Sequence, residues 1–168
     1  TSLTLSSTAY TYNGKVRKPT VKVKDSRGKT ISSAYYSVSY STGCKNVGKY
    51  NVTVKFKDVY SDFKSITKTF TINPKSTSVS KLSAGSKKFT VKWKKLTTQT
   101  TGYQIQYSTS KKFSGAKTVT VKKNSTTSST VKKLKAKKTY YVRVRTYKTV
   151  SGKKYYSSWS KAKSIKTK

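Results

Sequence analysis

The chain has 168 residues, 39 lysines and arginines against three acidic side chains, and a formal net charge of +36. Apolar residues make up only 32 %, but 14 tyrosines, five phenylalanines and two tryptophans exclude a disordered polyelectrolyte, since disordered chains are poor in aromatic and β-branched residues. Histidine is absent, and Asp25, Asp58 and Asp62 are the only side-chain carboxylates, which excludes most hydrolytic and transfer chemistry, because that needs a histidine, a carboxylate pair or a bound metal.

The chain opens at Thr1 with no signal peptide and reads as a piece excised from a longer protein, any targeting or anchoring segment lying outside it. No apolar run approaches the length of a membrane span, so no membrane insertion is expected. Along the chain, turn signals recur at short intervals: "YNGK", "KDSRGK", "STGCKNVGK", "TINPKST", "LSAGSKK", "SKKFSGAK" and "VSGKK". Between them the residues alternate with period two in "TVKVKD", "YSVSYS", "YNVTVKFK", "KTFTIN", "KFTVKWKK", "GYQIQYS", "KTVTVKK" and "YYVRVRTY". Many short strands between turns predict an all-β sandwich or barrel. Alternation also assigns faces. Tyr50, Val52, Val54 and Phe56 share one face, and Phe89, Val91 and Trp93 another; the lysines between them point outward. The charge is thus largely the wet half of half-buried strands.

Cys44 is the sole cysteine, so neither an intrachain disulfide nor a cysteine zinc cluster can form. In "STGCKN" it reads as a small turn residue with no histidine to activate it. The stretch "INPKSTS" marks a boundary. The expected organisation is one domain over residues 1–74, a short linker over 75–78 and a second domain over 79–168. Residues 1–75 carry 14 basic and three acidic side chains, net +11, whereas 76–168 carry 25 basic and no acidic ones, net +25. That half can build no carboxylate dyad, Ser-His-Asp triad or hard-cation site.

In the first half, "YTYNGKVRKPTVKVKD", "YYSVSYS", "NVGKYNVTVKFK" and "KTFTINP" carry Tyr12, Gly14, Pro19, Val21, Gly48, Phe70 and Ile72. This pattern resembles the small immunoglobulin-like repeats of Gram-positive secreted and cell-wall proteins. Asp58 and Asp62 stand where those repeats commonly have glycine. Two aspartates and a distant Asp25 make a weak calcium set. They are expected to neutralise nearby lysines such as Lys57 and Lys64.

In the second half, Trp93 in "FTVKWKK", the "GYQIQYS" strand and "STVKKLKAKKTYYVRVRTY" follow in order, with Leu134 six residues before Tyr140. Residues 77–168 resemble a fibronectin type III domain. The resemblance implies a core of Trp93, Tyr103, Ile105, Leu134, Tyr140, Val142 and Val144. Tyr107 is also expected inward. The usual Pro-Gly of the turn before the corner tyrosine is Ala136-Lys137 here. Further on, "YSSWS" resembles the WSxWS box of cytokine-receptor fibronectin domains and is expected to begin the strand beside "YYVRVRTY". The implied outer face is an exposed aromatic–arginine ladder of Tyr141, Arg143, Arg145, Tyr147, Tyr156 and Trp159. It is expected to serve as internal scaffolding rather than as a ligand surface.

Together these readings imply an all-β chain of two tandem immunoglobulin-like β-sandwiches. The expected function is a non-catalytic spacer, display or adhesive module of a secreted or wall-associated protein, extracellular or in the cell wall. No catalytic, cofactor or metal site is expected. Expected partners are anionic wall polymers such as teichoic acids, other surface proteins and neighbouring domains of the parent chain, held by a long-range, salt-sensitive attraction. Binding of nucleic acid or another polyanion is the second reading, although lysine is spread over nearly every strand and no specific nucleic acid is expected. Carbohydrate binding by Gln104, Gln106, Tyr141, Arg143, Arg145, Tyr147 and Trp159 is the third.

Overall fold

Period-two alternation is realised as short strands throughout a computed structural model that describes residues 1–168. Only two 3-10 turns, Ser33–Tyr35 and Asp58–Tyr60, interrupt the all-β pattern. Contacts gather into two units, Thr1–Asn73 and Pro74–Lys168. Residues 75–78, expected as a short linker, bond to the second unit. Thr77 is buried and its hydroxyl donates to the Lys94 carbonyl at 2.5 Å, while Thr146 Oγ1 donates to the Lys75 carbonyl at 2.6 Å.

In the first unit, β1 (Ser2–Leu5) pairs antiparallel with β3 (Val21–Lys24). A four-stranded sheet runs in the order β2 (Ala9–Thr11), β6 (Ile66–Asn73), β5 (Gly48–Phe56), β4 (Tyr36–Tyr40), with β2 parallel to β6 and the other pairs antiparallel. Leu3, Leu5 and Val23 from the small sheet share one core with Val52, Val54, Phe56, Phe70 and Ile72 from the large one. On β5 the aliphatics and Phe56 are buried while Lys49 and Lys55 are exposed, as alternation requires.

Cys44 is buried in this core rather than presented by its turn. Its thiol donates to the Ser41 carbonyl at 2.9 Å. Burial pushes the thiol pKa up, and the Lys18 charge opposes this only in part, so the reactive thiolate is disfavoured. Asp25 holds its own turn, its Oδ1 accepting the backbone N–H of Arg27 and of Lys29, each at 2.9 Å. Asp58 keeps a left-handed backbone, φ +53. Aspartate tolerates that region better than most residues, so the loop retains a glycine-like bend without the glycine.

In the second unit, β11 (Ser128–Val131), β8 (Lys88–Trp93) and β7 (Val79–Gly85) form one antiparallel sheet in that order. The facing sheet runs β10 (Lys117–Val121), β9 (Gly102–Ser108), β12 (Thr139–Val150), β13 (Lys153–Tyr156), and β14 (Lys163–Lys166) also pairs with β12. Phe89, Val91 and Trp93 from one sheet meet Tyr103, Ile105, Val142 and Val144 from the other, and Leu134 and Tyr140 close the end of the core. Tyr107 is only partly buried.

Two tyrosines fix the ends of this core through their hydroxyls. Tyr140 accepts the Lys135 backbone N–H at 3.1 Å, the tyrosine-corner arrangement of immunoglobulin-like sandwiches. Lys133 and Lys137 flank that turn with φ +59 and +51. The Tyr103 ring is fully buried; its hydroxyl accepts the Leu96 N–H at 2.9 Å and lies 2.8 Å from the Leu96 carbonyl and 2.9 Å from that of Asn124. A buried phenol thereby has its polar atom satisfied.

Candidate functional site

The outer face of β12 collects the arginines and aromatic rings, and the edge beside it departs from the expected strand. β13 pairs with Tyr147–Val150 and β14 with Thr139–Val142. Between them, residues 157–162 leave the sheet. Serine hydroxyls take over the ladder there. Ser157 Oγ accepts the Thr146 N–H at 3.1 Å, and the Ser157 N–H donates back to the Thr146 carbonyl at 3.1 Å. Ser160 repeats this on Val144, with 3.0 Å to its hydroxyl and 2.8 Å from its own N–H. Three residues on the edge thus match two on β12. The slack carries Trp159 across the sheet.

Trp159 lies between two guanidiniums. Arg145 Cζ is 4.3 Å from the Trp159 ring centre and Arg143 Cζ is 5.0 Å from it. Arg145 also stacks on Tyr156 at 4.0 Å, and Arg143 on Phe113 at 3.9 Å. The order along the face is Phe113, Arg143, Trp159, Arg145, Tyr156. Glutamines hold the arginines from β9. Arg143 Nε donates to Gln106 Oε1 at 2.8 Å, and Arg145 Nε and Nη2 donate to Gln104 Oε1 at 2.9 and 2.7 Å. Burial pushes both arginine pKa values down; the Tyr156 phenol opposes this at Arg145, while Arg143 adds to it. Arginine is not deprotonated in proteins, so the stack consists of cations on π-faces with no anion present.

Of the expected ladder, Arg143, Arg145, Tyr156 and Trp159 come together, and all four are half-buried rather than exposed. Tyr147 departs further: it is 2 % exposed. Its ring lies over Gly102, its partner on β9, where a β-carbon would come within 2.9 Å of the Tyr147 hydroxyl. Tyr156 and the Lys154 ammonium cover it from the other side, at 6.1 and 5.2 Å. Tyr141 is half-buried and stands outside the stack. Phe113 takes the end position instead, from the turn in "SKKFSGAK". The sequence offers one signal for it, a single ring in a turn otherwise made of lysine and small residues. Gln104 and Gln106, expected as amides for a sugar, are engaged by the arginines. No group of three or more His, Cys, Asp or Glu side chains gathers anywhere in the chain.

A three-stranded sheet packed on a β10-β9-β12 sheet with a split edge, closed by a tyrosine corner, defines an immunoglobulin-like β-sandwich module. The fibronectin type III domain family matches residues 70–163, and the chain belongs to that family. Such domains are typical of structural or adhesive extracellular proteins. Among solved structures, the FN1–FN3 domains of chicken CNTN1 are 22 % identical with a TM-score of 0.48, covering 73 % of this chain and 43 % of that one. A two-domain fibronectin type III segment of chicken tenascin is 20 % identical with a TM-score of 0.47, covering 74 % and 68 %. A beta-1,2-glucanase from Parabacteroides distasonis is 15 % identical with a TM-score of 0.45, covering 70 % of this chain and 17 % of the enzyme. The chain therefore spans less than half of the CNTN1 segment. No match is found among curated proteins. No helix is long and apolar enough to cross a membrane.

Proposed function

We propose that the chain is a non-catalytic structural or adhesive module of a secreted or cell-wall-associated Gram-positive protein. Residues 1–74 would serve as an immunoglobulin-like repeat, and the module would space or display neighbouring domains while its charge holds it against anionic wall polymers. The observation that carries this reading is the closed arginine–aromatic face. Arg143 and Arg145 are committed to rings on both sides and to Gln106 and Gln104 below. A face that binds a polyanion or a sugar keeps its cations, rings and amides available; this one uses them to stiffen its own edge. Apart from Arg17 and Arg27, the remaining cations are lysines spread over the surface, suited to diffuse, salt-sensitive attraction.

Titration against teichoic acid, heparin and duplex DNA across a salt series tests this. The expected result is weak binding to all three that fades as salt approaches about 0.15 M, where the screening length falls to ~8 Å. Tight binding to duplex DNA that survives that salt would overturn the reading in favour of a nucleic-acid binder.

A further inference from the structure

A cavity of about 480 Å³ opens in the second unit between the turn after β9 and the turn before β12. Its size falls in the range of small-ligand sites. Lys117, Lys133, Lys135 and Lys138 line it, with Tyr107 and Tyr140. Four exposed lysines around one concavity put like charges near one another, and residues 63–168 contain no side-chain carboxylate to offset them. Burial, followed by the nearby Tyr140, lifts the Tyr107 pKa above its ordinary value. Lys133 stands at φ +59, a left-handed backbone that favours glycine.

We propose that this lysine-ringed cavity binds the phosphate ester of a polyol or sugar phosphate, with the ammonium groups as point-charge donors and the two tyrosines as its wall. The ligand's identity rests on the wall-polymer reading above; the site itself does not. Nucleic acid fits less well, because single strands are gripped by rings free to stack with bases and Tyr140 is only 7 % exposed.

Lys137 supplies a matched control. It has φ +51 in the same turn but does not line the cavity. Lys133→Gly and Lys137→Gly each remove one charge and one left-handed lysine, so neither should lower the melting temperature. The full chain and both variants are titrated with poly(glycerol phosphate) at low salt, where polymer binding is measurable, and with sn-glycerol 3-phosphate while amide NMR shifts are followed. Lys133→Gly is expected to weaken polymer binding about tenfold, near the lower end of what one charge-assisted hydrogen bond contributes, and Lys137→Gly less than about twofold by the same scale. Glycerol 3-phosphate should shift the amides of Ser108, Ser114 and Gly115. Equal losses in the two variants would leave diffuse attachment to the polymer standing and overturn the cavity site. If the polymer fails to bind while glycerol 3-phosphate still shifts those amides, the cavity stands and the wall reading falls. A difference between the variants that appears only with heparin or duplex DNA overturns the phosphate-ester assignment.

Discussion

Two residues show how backbone geometry and close approach set the cost of a side chain. Lys137 holds φ +51 in the turn before the tyrosine corner. The left-handed region costs a residue with a β-carbon roughly 1–2 kcal/mol. Glycine removes that cost but adds about 0.4–1 kcal/mol of unfolded-state entropy. Relief of the backbone outweighs the entropy, so Lys137→Gly is expected to stabilise the second unit by about 0.5–1 kcal/mol. A urea midpoint that falls instead would show that the lysine stem packs on the turn. Gly102 presents the opposite case. Its φ is ordinary, but a β-carbon there would collide with the Val121 carbonyl and crowd the Tyr147 ring. Gly102→Ala must either break the β9–β10 pairing or expel that ring. It is expected to destabilise by about 1–3 kcal/mol, the usual cost of overpacking, with loss of amide-exchange protection along β10 as its signature.

At the scale of the element, the split edge beside β12 depends on two serines as much as on its tryptophan. Val144 and Thr146 are fully buried, and Ser160 and Ser157 supply the acceptors for their N–H groups. Ser160→Ala leaves a buried donor unpaired and should cost about 1–3 kcal/mol. Trp159→Ala removes two guanidinium contacts and should cost about 1–2 kcal/mol at the rate for partly exposed cation–π pairs. Equilibrium denaturation of both variants checks these figures; a Trp159→Ala variant of wild-type stability would show that the stack does not stiffen the fold. The interior of β12 was legible in the sequence, because period two alone sends Tyr140, Val142 and Val144 inward. The edge was not. "YYSSWS" has strand-like residues, and nothing local announces that serine hydroxyls will replace backbone partners. Burial of Tyr147 depends on Gly102, a neighbour only across the β9–β12 pairing, so no local pattern encodes it. Phe113 reaches the stack from a turn, where there is no periodicity to read. β1 does alternate, with Leu3 and Leu5 inward, but at four residues it is too short to stand out, and the three residues of β2 show no period at all. Core faces follow from local pattern, whereas the candidate site is assembled from residues brought together by pairing.

For the whole molecule, the charge imbalance decides how stability responds to salt. With 39 cationic side chains and three carboxylates, at most three side-chain ion pairs could lose strength on screening, and the Asp25 carboxylate is already bonded to backbone. Repulsion among the lysines therefore outweighs ion pairing, and net charge far from zero destabilises a compact state. Raising sodium chloride from about 20 mM to about 500 mM shortens the screening length from roughly 20 Å to roughly 4 Å. The melting temperature is therefore expected to rise, by ~4–8 °C if screening recovers about 1 kcal/mol in a domain of this size. The second unit should respond more strongly, because residues 74–168 contain no acidic side chain. Trp93 and Trp159 are the only tryptophans and both lie in that unit, so tryptophan fluorescence reports its melting alone, while far-ultraviolet circular dichroism reports both. The fluorescence midpoint should climb faster with salt than the dichroism midpoint. A fluorescence midpoint that falls would mean that attraction within the arginine–aromatic stack outweighs the repulsion of the lysines around it.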